Sequence, residues 1–155
     1  MSYLADMRAL VGARTLLLPG VRALILDPDG RILLQRRADM DRWGLPAGSV
    51  EIGETALEAL HREVAEETNL RVLEAEPMAL YSGADQELVY PNGERVACFS
   101  VAFVVRRWAG EPCADGVEGS EVRFFDPASP PEDMVDIHRR TLEDYRRYNG
   151  TFFLA

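Results

Sequence analysis

The stretch GSVEIGETALEALHREVAEETNL, residues Gly48 to Leu70, decides the fold of this chain. It predicts a glycine-bearing loop that runs into one helix. Thr55 is followed three residues later by Glu58, which is a capping box, so the helix is expected to begin at about Ala56. Asn69 enters the left-handed region easily, and we expect the helix to end there.

One face of this predicted helix is apolar, with acidic side chains beside it. Leu57, Leu60 and Val64 recur at helical spacing and are expected to form the buried stripe. Glu63 and Glu67 are one turn apart and lie beside this stripe, and Glu66 lies on the neighbouring face. Like charges one turn apart destabilise a helix by about 0.2–0.5 kcal/mol, so the arrangement calls for a positive partner. A hard divalent cation bound by oxygens, such as magnesium, is the candidate.

This stretch resembles the signature box of the Nudix hydrolases, which reads G, five residues, E, seven residues, R-E-U, one residue, E-E, one residue, G-U, with U aliphatic. The matching positions are Gly48, Glu54, Arg62, Glu63, Val64, Glu66, Glu67 and Leu70. Asn69 stands where the last glycine is expected, a mild departure because both residue types can take the left-handed, helix-ending conformation. The alternative interpretation is an ordinary solvated acidic helix.

The resemblance implies an α/β fold, the Nudix α/β/α sandwich with a mixed central β-sheet between helices. The metal ligands that it implies are Glu63 and Glu67, with Glu66 joining them, and a backbone carbonyl of Ala47 or Gly48. It also implies that Arg62 orients the carboxylates and pairs with Glu54. From spacing alone, Glu58, Arg62 and Glu66 could instead form plain surface ion pairs.

Two segments before the box predict a β-hairpin. Thr15–Leu18 and Val21–Asp27 favour strands, Pro28-Asp29-Gly30 is a turn signal, and Arg31–Arg37 is the returning strand. The side chains that alternation places on one face of the returning strand are Leu33, Gln35 and Arg37.

Two arginines end this strand near the box. Arg36 or Arg37 is a candidate for binding a substrate phosphate, because guanidinium binds phosphate through two parallel hydrogen bonds. The alternative is a solvated strand end or an ion pair with Asp39 or Asp41. Trp43 opens a W-G-x-P-x-G segment that resembles the family's lead-in to the box. It lines a nucleotide pocket or, as the favoured interpretation, packs in the core.

The second half of the chain predicts more strands. Arg71–Ser82 is one, and Gln86–Tyr90 with Arg95–Arg107 forms a long hairpin around the Asn-Gly turn signal. The run VACFSVAFVV within it is apolar enough for a central strand covered on both faces, with Cys98 in the core. Tyr81 and Tyr90 are candidates for stacking on a base, and packing in the core or at its rim is favoured for both.

An acidic loop, Trp108–Glu121, leads into a short last strand, Val122–Phe125. Members of the resembled family place a further carboxylate in such a loop, as an extra metal ligand or as the base. Glu118 is the candidate here and Glu121 is the runner-up. A solvated acidic turn is the alternative.

Helices are predicted at both ends of the chain. Met1–Gly12 is an amphipathic segment and serves as a packing cap, a lid or a dimer contact. Ser129-Pro130-Pro131 is expected to open a last helical region. Its apolar stripe is Ile137, Leu142, Tyr145 and Tyr148. His61 and His138 are both expected to be surface residues.

Length and composition predict one domain over residues 1–155. The formal charge of −9 and the pI near 4.7 argue against non-specific binding to nucleic acid or an anionic membrane. Cys98 and Cys113 match no zinc pattern, which fits a reduced cytoplasmic compartment. We find no apolar run of membrane-spanning length and no secretory signal.

The resemblance implies metal-dependent hydrolysis of a diphosphate linkage in a nucleoside diphosphate derivative or nucleoside triphosphate. Metal-activated water attacks phosphorus, with Mg²⁺ or Mn²⁺ as cofactor. The catalytic candidates are Arg62, Glu66, Glu67 and Glu118, and the substrate-binding candidates are Arg36, Arg37, Trp43 and Tyr90. The window Ala84–Glu87 lacks the proline and tyrosine that mark particular substrates in the family. A catalytically silent nucleotide-binding module is the other function class, and a homodimer is compatible with the family.

Overall fold

The computed structural model describes residues 2–155, so Met1 of the predicted N-terminal helix lies outside the described part. In the first half, the elements are α1 Tyr3–Val11, β1 Leu16–Ile25, β2 Ile32–Arg37, β3 Arg42–Gly44, β4 Ala47–Ser49 and α2 Ala56–Thr68. The second half holds β5 Arg71–Tyr81, a 3₁₀ turn Ala84–Gln86, β6 Glu87–Val89, β7 Arg95–Ala109, β8 Gly119–Phe125, α3 Asp136–Tyr145 and β9 Phe153–Leu154. No helix within residues 2–155 is long and apolar enough to cross a bilayer.

A mixed sheet lies at the centre of the fold. Its strand order is β4-β1-β7-β5-β9, and β6 pairs with the beginning of β7. Strands β1 and β7 run parallel from the Leu16–Val96 pair to the Ile25–Val105 pair, whereas β5 is antiparallel to β7. A smaller sheet has the order β3-β2-β8. Some neighbouring strands, such as β1 and β7, are far apart in sequence. A sheet with parallel strands is typically covered on both faces.

Helices cover both faces of the central sheet, which confirms the predicted α/β/α sandwich. Alternate residues of β1 belong to two different hydrophobic cores, one on each face of the sheet, because successive side chains of a strand point to opposite faces. Ala23 and Ile25 pack with Leu60 of α2. Leu24 packs on the other face with Leu142 of α3.

The ends of α2 match the prediction. The Thr55 hydroxyl accepts a hydrogen bond from the Glu58 backbone N–H (3.1 Å), and the Glu58 carboxylate accepts one from the Thr55 N–H (2.8 Å). At the other end, Asn69 is left-handed with φ of 63°. Both ends depend on residues near in sequence, which is why local signals were sufficient.

The predicted buried stripe of α2 was wrong at Leu57, whose side chain is 49% exposed. The buried residues of this helix are Ala59, Leu60, Glu63, Val64, Glu67 and Thr68. The buried face is therefore centred on the two glutamates, and Leu57 falls at its edge in the first turn. The apolar pattern alone could not show this, because it gives carboxylates no place in a core.

The predicted hairpin between β1 and β2 was also wrong. One isolated bridge, Leu26 to Ile32, joins the two strands beside the turn. Both edges of β1 are taken by β4 and β7, so β2 pairs with β3 and β8 in the smaller sheet. Strand β1 also continues through Pro19 and Gly20, where the sequence had suggested a break.

The last helix begins later than predicted. It starts at Asp136, because the preceding segment packs as extended chain against β3. The Trp43 N–H donates to the Asp133 carbonyl (3.1 Å), and the Val135 N–H donates to the Trp43 carbonyl (2.7 Å). His138 was predicted at the surface, and this was wrong: it is 2% exposed, and its Nδ1 accepts from the Leu45 N–H (3.1 Å).

The second predicted hairpin is confirmed, since β6 and β7 pair antiparallel around Asn92-Gly93. Strand β7 is buried on both faces only over Ala102–Val105, and Phe99 is 44% exposed. Tyr81 is a core residue, and its hydroxyl donates to the Asp144 carboxylate (2.8 Å). It is therefore not available to stack on a base.

The capping box gives a stability prediction. Thr55→Ala removes the hydroxyl that receives the Glu58 N–H, so the free energy of unfolding should fall by about 1 kcal/mol. Urea denaturation followed by circular dichroism measures this change. Thr55→Ser keeps the hydroxyl and is the matched control, and equal losses in both variants would show that the hydroxyl does not act as the cap.

Candidate active site

A cleft of about 900 Å³ opens beside the edge of the central sheet that carries β4. One part of its lining is acidic and comes from α2 and the loop before β8. Another part is apolar and comes from β6, the beginning of β7 and α3, including Leu88, Val96 and Ile137. Ser2 and Leu4, at the start of the chain, also line the cleft, so the N-terminal segment lies at its rim.

Three carboxylates converge in the acidic part. Oxygen atoms of Glu63, Glu67 and Glu118 lie within 4.8 Å of one another. Glu63 and Glu67 come from successive turns of α2 and are buried, whereas Glu118 comes from the loop before β8 and is exposed. Three oxygen donors at this separation fit a hard cation, which the carboxylates would bind through oxygen and whose charge would offset their repulsion.

Gly48 makes room for this cluster. A Cβ atom built on Gly48 would lie 2.0 Å from the carboxyl carbon of Glu63, so a side chain at this position would displace that carboxylate. Glycine here thus allows the carboxylate to lie against the backbone of β4. This reason differs from the conformational freedom for which glycine is often needed.

The carboxylate of Glu67 is held by two donors on one oxygen. Its Oε2 accepts hydrogen bonds from Gln35 Nε2 (2.9 Å) and from the Ala47 backbone N–H (2.9 Å). Gln35 lies on β2 and Ala47 on β4, so the two flanking strands fix the orientation of the side chain from α2. Oε1 is left for another ligand.

Arg62 connects the box in the way the family pattern implies. Its Nε and Nη2 donate to the two oxygens of Glu54 (2.7 and 2.9 Å), and Nη1 donates to Glu63 (2.6 Å). A further bond reaches the Ser49 carbonyl (2.9 Å), and the contact with Glu66 is looser at 3.4 Å. Arg62 therefore ties the loop before α2 to the acidic face of the helix.

The loop that carries Glu118 is organised by Asp115. One oxygen of Asp115 accepts hydrogen bonds from the backbone N–H groups of Val117, Glu118 and Gly119 at 2.9–3.0 Å. The Glu118 carbonyl in turn accepts from the Ala38 N–H (2.9 Å). These bonds hold the exposed Glu118 side chain beside the two buried glutamates.

Burial changes the proton affinity of the two buried acids. Burial raises the pKa of Glu63 to about 7, although the neighbouring Arg62 opposes the shift. Burial and the nearby charge of Glu63 raise the pKa of Glu67 well above its usual value. By contrast, hydrogen bonds from Arg62 lower the pKa of Glu54 to about 2. Two acids of one small region thus take up protons readily, while a third stays ionised.

The two candidate phosphate-binding arginines are placed differently. Arg37 lines the cleft, and its guanidinium donates two hydrogen bonds to Asp39 (3.0 and 2.8 Å). Burial disfavours the charged form of Arg37, but the ion pair with Asp39 outweighs this effect and raises the pKa of Arg37. Arg36 is not among the cleft-lining residues of the described chain, and it pairs with Asp41 and Asp133. The predicted ion-pair alternative is therefore present at both positions.

The structure brings other candidates to the cleft and leaves some outside it. Tyr90 lines the apolar part, whereas Trp43 is buried in the core with its ring edge-to-face against Phe125 at 4.9 Å. Glu66 lines the cleft, but it is not part of the group of three within residues 2–155. The runner-up Glu121 pairs with Arg123 and is likewise outside that group.

Two functional candidates were missed by sequence reasoning. Arg22 is 1% exposed and lines the cleft, and its guanidinium donates to Gln86 (2.7 Å) and Thr141 (2.9 Å). The available signal was an arginine inside an apolar strand. His138 also lines the cleft, and burial lowers its pKa well below the usual value. No local pattern distinguished this histidine from a surface residue.

Comparisons with known proteins find relatives that match most of this chain. The model of the NUDIX domain family matches residues 16–145. The ADP-ribose pyrophosphatase of Methanocaldococcus jannaschii is 35% identical over 129 residues, covering 81% of this chain and 72% of that protein. An RNA pyrophosphohydrolase of Halorhodospira halophila is 50% identical over 145 residues, covering 84% of this chain and 80% of that protein.

A solved structure shows the same fold. The crystal structure of a MutT NUDIX hydrolase from Burkholderia pseudomallei superposes with a TM-score of 0.69 at 27% identity. The match covers 81% of this chain and 95% of that one. The similarity therefore extends over the sandwich that carries the acidic cluster, beyond the box alone.

The raised pKa values predict how the metal-free protein responds to pH. An acid whose pKa is higher when folded destabilises the fold once it must ionise. Stability in EDTA should therefore fall as pH rises from the usual glutamate value of 4.5 through about 7, by about 2–3 kcal/mol for Glu63. Denaturation at pH 5 and pH 8 measures the change.

Glu63→Gln cannot ionise at this position, so its stability should depend less on pH. Glu121→Gln lies outside the cluster and should keep the full dependence. Equal slopes in the wild type and Glu63→Gln would contradict the assignment of the effect to this acid.

Proposed function

Because this chain belongs to the Nudix family of hydrolases, which act on nucleoside diphosphate derivatives, we propose that it hydrolyses a diphosphate linkage in such a compound or in a nucleoside triphosphate. The reaction depends on Mg²⁺, or on Mn²⁺ in its place. The observation that carries the proposal is the convergence of Glu63, Glu67 and Glu118 within 4.8 Å in the wall of a cleft.

The residues present fit a divalent cation. Glu63 and Glu67 are the main ligands, Glu66 and a backbone carbonyl of Ala47 or Gly48 join them, and Glu118 is a further ligand or the base. All of these are oxygen donors, the type that magnesium and manganese accept. Bound there, a divalent cation screens the charge of the phosphates and lowers the pKa of a water molecule towards neutrality.

The residues around the cation have separate roles in the proposed reaction. Glu118 is exposed on a loop held by Asp115, so it can reach a water molecule in the cleft and take its proton as general base. Arg62 orients Glu63 and keeps Glu54 ionised. Arg37 binds a phosphate oxygen when its guanidinium exchanges Asp39 for the substrate.

The apolar part of the cleft receives the nucleoside. Tyr90 is half-buried there and offers a ring for stacking on a base. Leu18, Leu88 and Val96 supply further apolar surface. The volume of about 900 Å³ accommodates a nucleotide. The cytoplasm is the proposed compartment, because Cys98 and Cys113 are both free thiols in the described chain.

A silent nucleotide-binding module is the less favoured function. Such a module has no need of the acids that hold the cation, yet every acid of the box is present in this chain. Arg62 and Gln35 orient these acids further. The arrangement is therefore better suited to catalysis than to binding alone.

A substrate panel tests the proposal. ADP-ribose, nucleoside diphosphate sugars and nucleoside triphosphates are assayed for phosphate and pyrophosphate release with Mg²⁺ or Mn²⁺. A 5′-triphosphorylated oligonucleotide is included because the relative from Halorhodospira halophila is an RNA pyrophosphohydrolase. The net charge of −9 favours the small compounds. Binding without turnover across the panel would favour the silent module.

The metal ligands give a mutational prediction. Glu67→Gln retains a hydrogen-bond acceptor for Gln35 and Ala47, so the protein should remain folded. It removes a charged oxygen from the cation, so kcat should fall by at least about 10³-fold, of the order expected when a directly acting group is lost. Steady-state kinetics on the best substrate of the panel measures the loss, and full activity of the variant would refute the assignment.

The choice of base gives a second comparison. Glu118→Gln should lower kcat by about 10²- to 10⁴-fold, the range for loss of a general base. Glu121→Gln is a matched control three residues away on β8 and should leave kcat close to the wild type. The reverse pattern would make Glu121 the base instead.

A further inference from the structure

Gln35 has an unusual environment for a residue of a buried strand. It is 3% exposed and lies in the centre of β2, flanked by Leu34 and Arg36. Its Nε2 donates to Glu67 Oε2 (2.9 Å), the oxygen that also accepts from the Ala47 N–H. The NH₂ end of the amide is therefore hydrogen-bonded to the acidic cluster.

The other end of the same amide has no partner. Gln35 Oε1 is buried and accepts no hydrogen bond, and it is the one side-chain atom in residues 2–155 found in this state. A buried polar atom without a partner costs free energy, and native proteins rarely retain one without a reason. Gln35 lines the cleft, and the reason to keep its amide there is the other end, which binds Glu67.

Turning the amide over does not remove the problem. The carbonyl oxygen would then face Glu67 Oε2, and two acceptors would oppose each other while Glu67 is ionised. The NH₂ group must face Glu67 whenever that carboxylate binds a cation. Oε1 therefore points towards Gly119, where a Cβ atom would approach it to 2.8 Å. Gly119 directly follows Glu118 of the cluster.

We propose that Gln35 is a positioning residue for the bound cation. Its NH₂ group holds Glu67 Oε2, so that Oε1 of Glu67 would remain free to bind the cation. The inference rests on the metal site of the proposed function and goes beyond it in assigning a role to a residue outside the box.

A purely structural role for Gln35 predicts a different effect on the stability of the metal-free fold. If Gln35 served only to stabilise the fold, its removal would lower stability. Glu67 Oε2 keeps the Ala47 N–H as a donor when Gln35 is removed, and the orphaned acceptor disappears. An apolar side chain of similar volume should therefore leave the metal-free fold as stable as before, or more stable.

The test uses Gln35→Met and the full chain. Mn²⁺ affinity is measured by calorimetry and by the electron paramagnetic resonance signal of free Mn²⁺, and the melting temperature is measured in EDTA. We expect Mn²⁺ affinity to fall by about 10- to 100-fold, the usual effect of losing a group that orients a metal ligand. The melting temperature without metal should be unchanged or higher.

Gln86→Met is the matched control. Gln86 is also a buried glutamine, 1% exposed, but its Oε1 accepts from Arg22 (2.7 Å), and it is not among the cleft-lining residues of the described chain. Its loss leaves a buried guanidinium short of an acceptor. The melting temperature should therefore fall, while Mn²⁺ affinity should stay at the wild-type value.

A second variant displaces the same amide by changing a neighbouring residue. Gly119→Ala keeps every acid and Gln35 itself, and its Cβ displaces Oε1. The backbone at Gly119 does not have a positive φ, so alanine is compatible with it. Mn²⁺ affinity should fall in this variant as well, which keeps the inference testable if Gln35→Met does not fold.

The outcomes separate the inference from the proposed function. Wild-type protein that binds no Mn²⁺ would overturn both. Wild-type binding with equal affinity in Gln35→Met would overturn the inference and leave the metal site standing. A parallel loss of melting temperature and affinity in Gln35→Met, as large as the loss of melting temperature in Gln86→Met, would assign Gln35 a structural role and also overturn the inference.

Discussion

The structure depends on one unfavourable contact, the burial of two carboxylates on successive turns of a helix. Glu63 and Glu67 occupy the centre of the buried face of α2, where apolar side chains would be expected. Burial and mutual repulsion raise the pKa of Glu67 well above its usual value. Hydrogen bonds offset part of this cost, because Arg62 donates to Glu63 and the Ala47 N–H donates to Glu67. Such strain at a site is commonly offset by contacts elsewhere.

Neighbouring elements are arranged around this contact. Strand β4 approaches so closely that a side chain at Gly48 would displace the Glu63 carboxylate, and the Ala47 N–H donates a hydrogen bond to Glu67. Arg62 supplies positive charge from the same helix and is anchored by Glu54 in the preceding loop. The capping box fixes the start of α2, the helix that carries both acids. The residues of the signature box thus hold Glu63 and Glu67 in position.

Residues close in sequence were predicted well, and contacts between distant segments were not. Thr55 and Asn69 end α2 through their immediate neighbours, so local signals located both ends. Spacing on the helix also indicated which glutamates point together. His138 was misplaced because its burial depends on Leu45, which lies 93 residues away. The contact between Gln35 and Glu67 could not be predicted either. Alternation along β2 gives the face on which a side chain lies, but not which residue of another element packs against it.

Asp115 makes the turn that carries Glu118 a local structure. Its single oxygen gathers three consecutive backbone N–H groups, so the conformation that presents Glu118 is built within five residues. The segment from residue 110 to 114 contributes nothing to that small unit. That segment instead holds the end of α2, because the Cys113 N–H donates to the Thr68 carbonyl and the Asn69 side-chain amide donates to the Glu111 carbonyl. A change in its length would therefore act first on the end of α2, while the turn that carries Glu118 keeps its own hydrogen bonds.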